Sequence, residues 1–129
     1  MLRTFVDVAR AWDIKPVLMT QVRVRARSQA EKRDDFLNRE RLGGARINSE
    51  DFATTHQYFN SIIRKVASSK KVLLIDLADA HDWSYGDVYD AIHFTDQGSK
   101  QVAEVIAGKL SGEISRRYIA SPGQPAAER

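Results

Sequence analysis

Asp90 and His93 stand three residues apart in the stretch Tyr89-Asp90-Ala91-Ile92-His93-Phe94-Thr95-Asp96-Gln97-Gly98, ahead of a helix start expected at Thr95 or Asp96. In a loop or a first helical turn, that spacing lets the Asp90 carboxylate reach a ring nitrogen of His93. A carboxylate there fixes the imidazole tautomer and stabilises the imidazolium, leaving the other nitrogen free to take a proton. These are two parts of a nucleophile–base–orienter system. The third part is not found. The chain has no cysteine, which excludes a thiolate nucleophile, disulfides and cysteine-based zinc sites. No serine sits in a Gly-x-Ser or Gly-Asp-Ser context at a strand end, and Ser84, though near His93 in sequence, lacks the neighbours of a nucleophile elbow. A metal alternative uses Asp87, Asp90 and His93, at three-residue steps and with ligand types that suit zinc or manganese. A loop aspartate is more often a cap or turn residue, so no metal or other cofactor is assigned.

The elements that must position this pair alternate between helix and strand. Leu2, Phe5, Ala9 and Trp12 recur at helical steps, predicting a helix over Leu2 to Trp12 that ends before Lys15, the residue preceding Pro16. Val17-Leu18-Met19-Thr20 is a short apolar run of the kind found in parallel strands covered on both faces. Ser49 is a good N-cap for a second helix with the stripe Phe52, His56, Phe59, Ile63 and Val66, closed by Ser68-Ser69-Lys70. On that stripe His56 reads as a core or boundary histidine. Val72 to Leu77 is the second buried-type strand, and a final helix turns Val102, Val105, Ile106 and Leu110 inward. This order predicts an α/β fold with a parallel sheet. The loop from Ala78 into Asp90–His93 then lies beyond the carboxyl end of a strand, where open α/β sheets set their sites.

Residues 21–48 form a long connection, with eight basic residues against four acidic between Gln21 and Arg46. Ser28 to Arg41 has helix-forming composition with few apolar anchors, and Gly43-Gly44 ends it. The segment reads as a solvated basic insertion, or as a lid-like loop whose arginines attract an anionic substrate. Aromatic interleaving is absent there, which argues against nucleic acid. Ser121-Pro122-Gly123 onward reads as a disordered tail, residues 120–129. A chain of 129 residues with 43% hydrophobic and 29% charged side chains suits one globular domain, residues 1–119. No apolar run approaches the roughly 18 residues of a membrane span. No signal peptide is visible at Met1-Leu2-Arg3-Thr4, and the compartment stays open.

The pattern Asp90-x-x-His93, followed by Gly98 and an amphipathic helix, resembles the last conserved block of the SGNH, or GDSL-type, hydrolases. Pro16 to Gln21 looks like that family's fourth strand, Tyr58-Phe59-Asn60 through Val66 its next helix, and Val72 to Leu77 its last strand. The resemblance covers residues 1 to 118 and the second half of the family's fold. It implies part of a flavodoxin-like three-layer sandwich, of which this chain supplies the last two strands of a parallel sheet and their helices.

The resemblance also implies a serine esterase or lipase chemistry, with His93 as general base and Asp90 as its orienter. The family's Gly-Asp-Ser block and its oxyanion-hole glycine and asparagine blocks have no counterpart here; Gly43-Gly44 and Asn48 stand in the wrong place. The expected protein is therefore the C-terminal portion of a longer hydrolase, acting on a small ester or an acylated carbohydrate. Its nucleophile comes from an upstream half or a second chain, and by itself it associates through an exposed strand edge. The other reading is a non-catalytic α/β interaction module, or a truncated, inactive fragment.

Overall fold

The computed structural model describes residues 1–24, 41–42, 45–46, 49–89 and 93–119. Most of the expected lid-like loop, the whole of the expected tail and Asp90 itself lie outside the described residues.

Helix α1, Leu2–Ala11, uses Leu2, Val6 and Ala9, at steps of four and three, as its inward face. The expected stripe through Phe5 and Trp12 is wrong by one residue. Phe5 is 55% and Trp12 77% exposed, because the row through Val6 is the one that meets the rest of the chain. Asp13, at φ 56°, turns the chain out of the helix before Pro16. Strand β1, Val17–Met19, follows; β2, Arg41–Leu42, and β3, Ala45–Arg46, form a two-residue antiparallel hairpin in the basic insertion. The sequence reading missed that hairpin. Helix α2 runs Ser49–Lys70, strand β4 Leu73–Ile75, and helix α3 Asp96–Ile119, with a 3-10 turn at Leu77–Asp79. Ser49, the expected cap, is instead the first residue of α2.

Strands β1 and β4 pair in parallel, Val17 with Leu73, Leu18 with Leu74 and Met19 with Ile75. Side chains alternate across the pair. Leu18 and Leu74 pack with Val6, Val66 and Ala67, so α1 and α2 cover one face. Ile75 joins Val22, Val24, Trp83 and Val88 against Val102, Val105, Ile106 and Leu110, so α3 covers the other. The chain is mixed α/β, with a parallel strand pair between helices. Arg10 and Asp7 of α1 clamp the end of α2: Arg10 Nη2 donates to the Lys70 carbonyl at 2.7 Å, and Lys70 Nζ meets Asp7 at 2.7 Å. Among the described residues no helix is long and apolar enough to cross a membrane.

Two expected burials do not occur. β1 is buried on one face only: Leu18 is 4% exposed, whereas Val17 is 38% and Met19 42% exposed. On α2 the exposed Phe59 yields the inward position to Asn60. Asn60 is buried because both ends of its amide bond the backbone of Gln21, Oδ1 accepting at 2.9 Å and Nδ2 donating at 2.8 Å.

Among the described residues each strand of the β1–β4 pair has one unpaired edge. Such an edge templates pairing with another chain, and two strands rarely make an independently stable sheet. Phe5, Val8, Trp12, Val17 and Met19, between 38% and 77% exposed, each forfeit a part of the roughly 1.5–3 kcal/mol that full burial gives, against a typical net stability of about 5–15 kcal/mol. Residues 1–129 alone are therefore expected to self-associate or to melt over a broad range. A monodisperse monomer with one sharp transition, by light scattering and calorimetry, would contradict this.

Candidate functional site

The carboxyl ends of β1 and β4 are joined by one carboxylate. Asp76 follows β4 directly, and its Oδ1 accepts from the fully buried Thr20 hydroxyl at 2.8 Å. Arg64 of α2 grips the same group with two donors, Nε to Oδ2 at 2.7 Å and Nη2 to Oδ1 at 2.8 Å. Thr20 Oγ1 in turn accepts from the Ala78 amide at 3.0 Å, and Arg64 Nη2 reaches Asp79 at 3.1 Å. The Arg64 hydrogen bonds, with that of Thr20, hold Asp76 below the usual carboxylate range against the opposing effect of burial. The chain therefore leaves the sheet in a fixed direction.

Beyond that point the loop is built on Trp83 and Asp87. The Trp83 indole is buried and donates to the Leu77 carbonyl at 2.8 Å, with His81 against its edge and Phe94 5.5 Å away. Asp87 is 5% exposed. Its Oδ2 accepts from the Ser84 hydroxyl at 2.8 Å and the Ser84 amide at 2.9 Å, and its Oδ1 accepts from Gln101 at 3.0 Å. The Ser84 hydroxyl, followed by its amide, is the chief reason that the Asp87 pKa lies low. Ser84 is thus committed to shaping the loop, and it also accepts the Gly86 amide at 3.2 Å.

The Asp87 carbonyl accepts from the Thr95 amide at 2.9 Å. Thr95 is the N-cap of α3: its hydroxyl accepts the Gly98 amide at 3.1 Å and donates to the Gly86 carbonyl at 2.9 Å. Gly98 then passes so close to Asp87 that a Cβ there would lie 1.9 Å from the Asp87 carbonyl oxygen. The glycine noted after the Asp-x-x-His spacing therefore has a steric reason.

On this frame Val88 and Phe94 form an antiparallel bridge, and the Tyr89 amide donates to the His93 carbonyl at 3.1 Å. The bridge closes a loop of five residues, Tyr89 to His93. Tyr89 and His93 are both exposed, their rings stacked within 8° of parallel at 5.6 Å between centroids. A flat aromatic neighbour limits how the imidazole can turn. Asp90 follows Tyr89 in the chain and lies outside the described residues, so His93 is the one member of the expected pair that is described. Its exposure and stacking suit a base that meets a substrate from solvent.

The metal alternative loses a ligand in this arrangement, because both carboxylate oxygens of Asp87 point inward to hydrogen-bond donors. Among the described residues no three His, Asp or Glu side chains gather as a metal site. Sequence reasoning missed the strand-end network. Its signal was a polar row on the inner side of α2, His56, Asn60 and Arg64 at steps of four, where an apolar stripe was expected. No family model matches the chain, and no curated protein is significantly similar to it.

Gly98→Ala is expected to destabilise the protein by about 2–3 kcal/mol, because backbone and not a flexible side chain blocks the added methyl group. Thermal melting should show the loss, and an unchanged melting temperature would refute the close approach. Asp76→Ala removes the acceptor of Thr20 and two of the hydrogen bonds of Arg64, leaving the latter with Asp79, and should cost about 2–4 kcal/mol in denaturant unfolding, whereas Gln57→Ala on the exposed side should cost little.

Acid adds a separate expectation. Burial, then the Arg23 charge, lowers the His56 pKa from its ordinary 6.5, so its contribution to stability is present above that value and lost as pH falls below it. Asp76 and Asp87 lie below the ordinary 3.8, so their contributions are present above that value and disappear only as pH falls through their lower folded values. Stability should thus begin to decline below about pH 6.5, and His56→Gln should remove that first decline while keeping the later one. A wild-type stability flat down to pH 4.5 would exclude this.

Proposed function

We propose that this chain carries the acid–base half of an ester hydrolase of the SGNH type. His93 is the general base and Asp90 the residue that orients it, on a small ester or an acylated carbohydrate. The observation that carries the reading is the closed loop from Val88 to Phe94. It lies beyond the carboxyl end of a parallel strand and holds His93 in the open, while the polar groups beneath it are committed to one another. In this role His93 takes the proton of an attacking serine hydroxyl and returns it to the leaving alcohol. Asp90 holds the imidazole in the tautomer that can accept that proton.

The serine and the oxyanion donors belong to another segment, upstream in a longer protein or on a second chain. Strand topology supports a position for it in a flavodoxin-like three-layer sandwich. Helices α1 and α2 pack together on one face of the sheet. Parallel crossovers are almost always right-handed. A strand leading into α1 on that face would therefore lie beside β1, on the side away from β4. That is the unpaired edge, next to the exposed Val17 and Met19. A strand added there runs parallel to β1, and its carboxyl end falls at the same end of the sheet as the His93 loop.

Residues 1–129 alone should not hydrolyse p-nitrophenyl acetate above the background of free imidazole, because nucleophile and oxyanion hole are both needed. An acyl-enzyme trapped on any serine of this chain, Ser84 included, would overturn the division of labour. With the nucleophile-bearing segment supplied, Asp90→Asn should lower turnover on the order of a thousandfold to ten-thousandfold without unfolding the protein, and His93→Ala at least as much. Full activity in a folded His93→Ala variant would exclude His93 as the base.

A further inference from the structure

A groove of about 490 Å³ opens between α3 and the amino ends of β1 and β4. Its floor holds Val17 and Leu73, which pair across the two strands, and its side holds Leu110 and Ile114 of α3. Val17 is 38% and Ile114 52% exposed, although both are large and apolar. Exposed apolar groups gathered in one concave place mark a binding site, as scattered ones do not. The volume lies within the roughly 300–1,000 Å³ of pockets that enclose small ligands.

The charge in this groove decides the class of ligand. Lys15 and Lys71 stand two residues ahead of Val17 and Leu73 and line the same space. Neither lysine forms an ion pair among the described residues. The other charged groups of the wall are spent. Arg10 Nη2 donates to the carbonyls of Lys70 and Lys71, and Glu113 has a partner of its own. A cation at position 71 suits the carboxyl end of α2, but Arg10 already serves the carbonyls there. Lys71 moreover holds φ 50°, the left-handed conformation that usually falls to glycine or asparagine after a helix. Two ammonium groups thus share an apolar groove, with no free carboxylate among the described residues of its wall.

We infer that this groove binds a medium-chain fatty carboxylate, its alkyl chain against Val17, Leu73, Leu110 and Ile114 and its head between Lys15 and Lys71. Burial of the chain supplies affinity, and the ammonium pair selects the charged head. A short polar acid would leave the apolar wall in water, and an uncharged alkyl compound would leave the lysines without a counter-charge. The site lies at the opposite end of the sheet from the loop that carries His93. It does not depend on the hydrolytic reading.

The test titrates octanoate, octanamide and acetate, each 13C-labelled at the carbonyl carbon, against the full chain at constant ionic strength. Binding is read from the 13C linewidths, which report weak association whatever the oligomeric state. Octanoate should broaden saturably with a millimolar dissociation constant. Acetate should bind at least about tenfold more weakly, and octanamide about fivefold. Ile114→Glu, at an exposed helix position that leaves the fold intact, should weaken octanoate about tenfold by placing a like charge in the wall. Lys15→Gln and Lys71→Gln together should weaken it by about as much. Phe5→Ser, on the exposed stripe of α1 outside the groove, should leave the dissociation constant unchanged. Unsaturable broadening, or equal binding of octanoate and acetate, would overturn the site by reducing it to general basicity. Equal binding of octanoate and octanamide, an unchanged constant in Ile114→Glu, or an equal loss in Phe5→Ser would overturn it in favour of general apolar adhesion.

Discussion

The carboxylate of Asp76 is the constraint on which the rest depends. It stands where β4 ends, 56 residues from Thr20 and 12 from Arg64, and it bonds both. Through Thr20 it fixes the end of β1, and through Arg64 it fixes α2 across the strand ends. The Ala78 amide, bound to the same threonine hydroxyl, sets the direction in which the chain departs toward Trp83. Removing the carboxylate at position 76 would leave the Arg64 guanidinium with Asp79 alone and the buried Thr20 hydroxyl without its acceptor. Such networks are strong when complete and costly when broken.

From that origin the loop builds outward by a second carboxylate. Asp87 gathers Ser84 and Gln101, its carbonyl receives Thr95, and Gly98 gives the clearance that brings the start of α3 against it. What emerges is an exposed His93 beside a hydrogen-bonded frame of Ser84, Asp87, Thr95 and Gln101. Elsewhere the outer stripe of α1, with Phe5, Val8 and Trp12, and the face of β1 that carries Val17 and Met19 leave large apolar side chains exposed.

Much of this was legible in the sequence, for identifiable reasons. Helical periodicity located α1, α2 and α3, and two continuous apolar runs located β1 and β4, because burial imposes those patterns directly. Which side of a helix faces inward was less legible. Reading apolar as inward chose Phe5 and Phe59, whereas Val6 and Asn60 are the buried residues. Asn60 is buried through hydrogen bonds to a backbone segment 39 residues away, which no local pattern encodes. The β2–β3 hairpin was hidden for a different reason: Arg41, Leu42, Ala45 and Arg46 have weak strand preference, and the two glycines between them were the only signal. The Asp90–His93 pairing rests on spacing alone, since Asp90 lies outside the described residues, and the roles of Asp87 and Gly98 required the fold.

The central claim is that Asp90 holds His93 in one protonation geometry, and the state of the imidazole measures this directly. Long-range 1H–15N correlation of His93 in residues 1–129 at pH 8 reports which ring nitrogen carries the proton. The account predicts a single tautomer in the wild type, with its N–H slowed in exchange with water, and a mixture with fast exchange in Asp90→Asn. The same tautomer mixture in both proteins would contradict it.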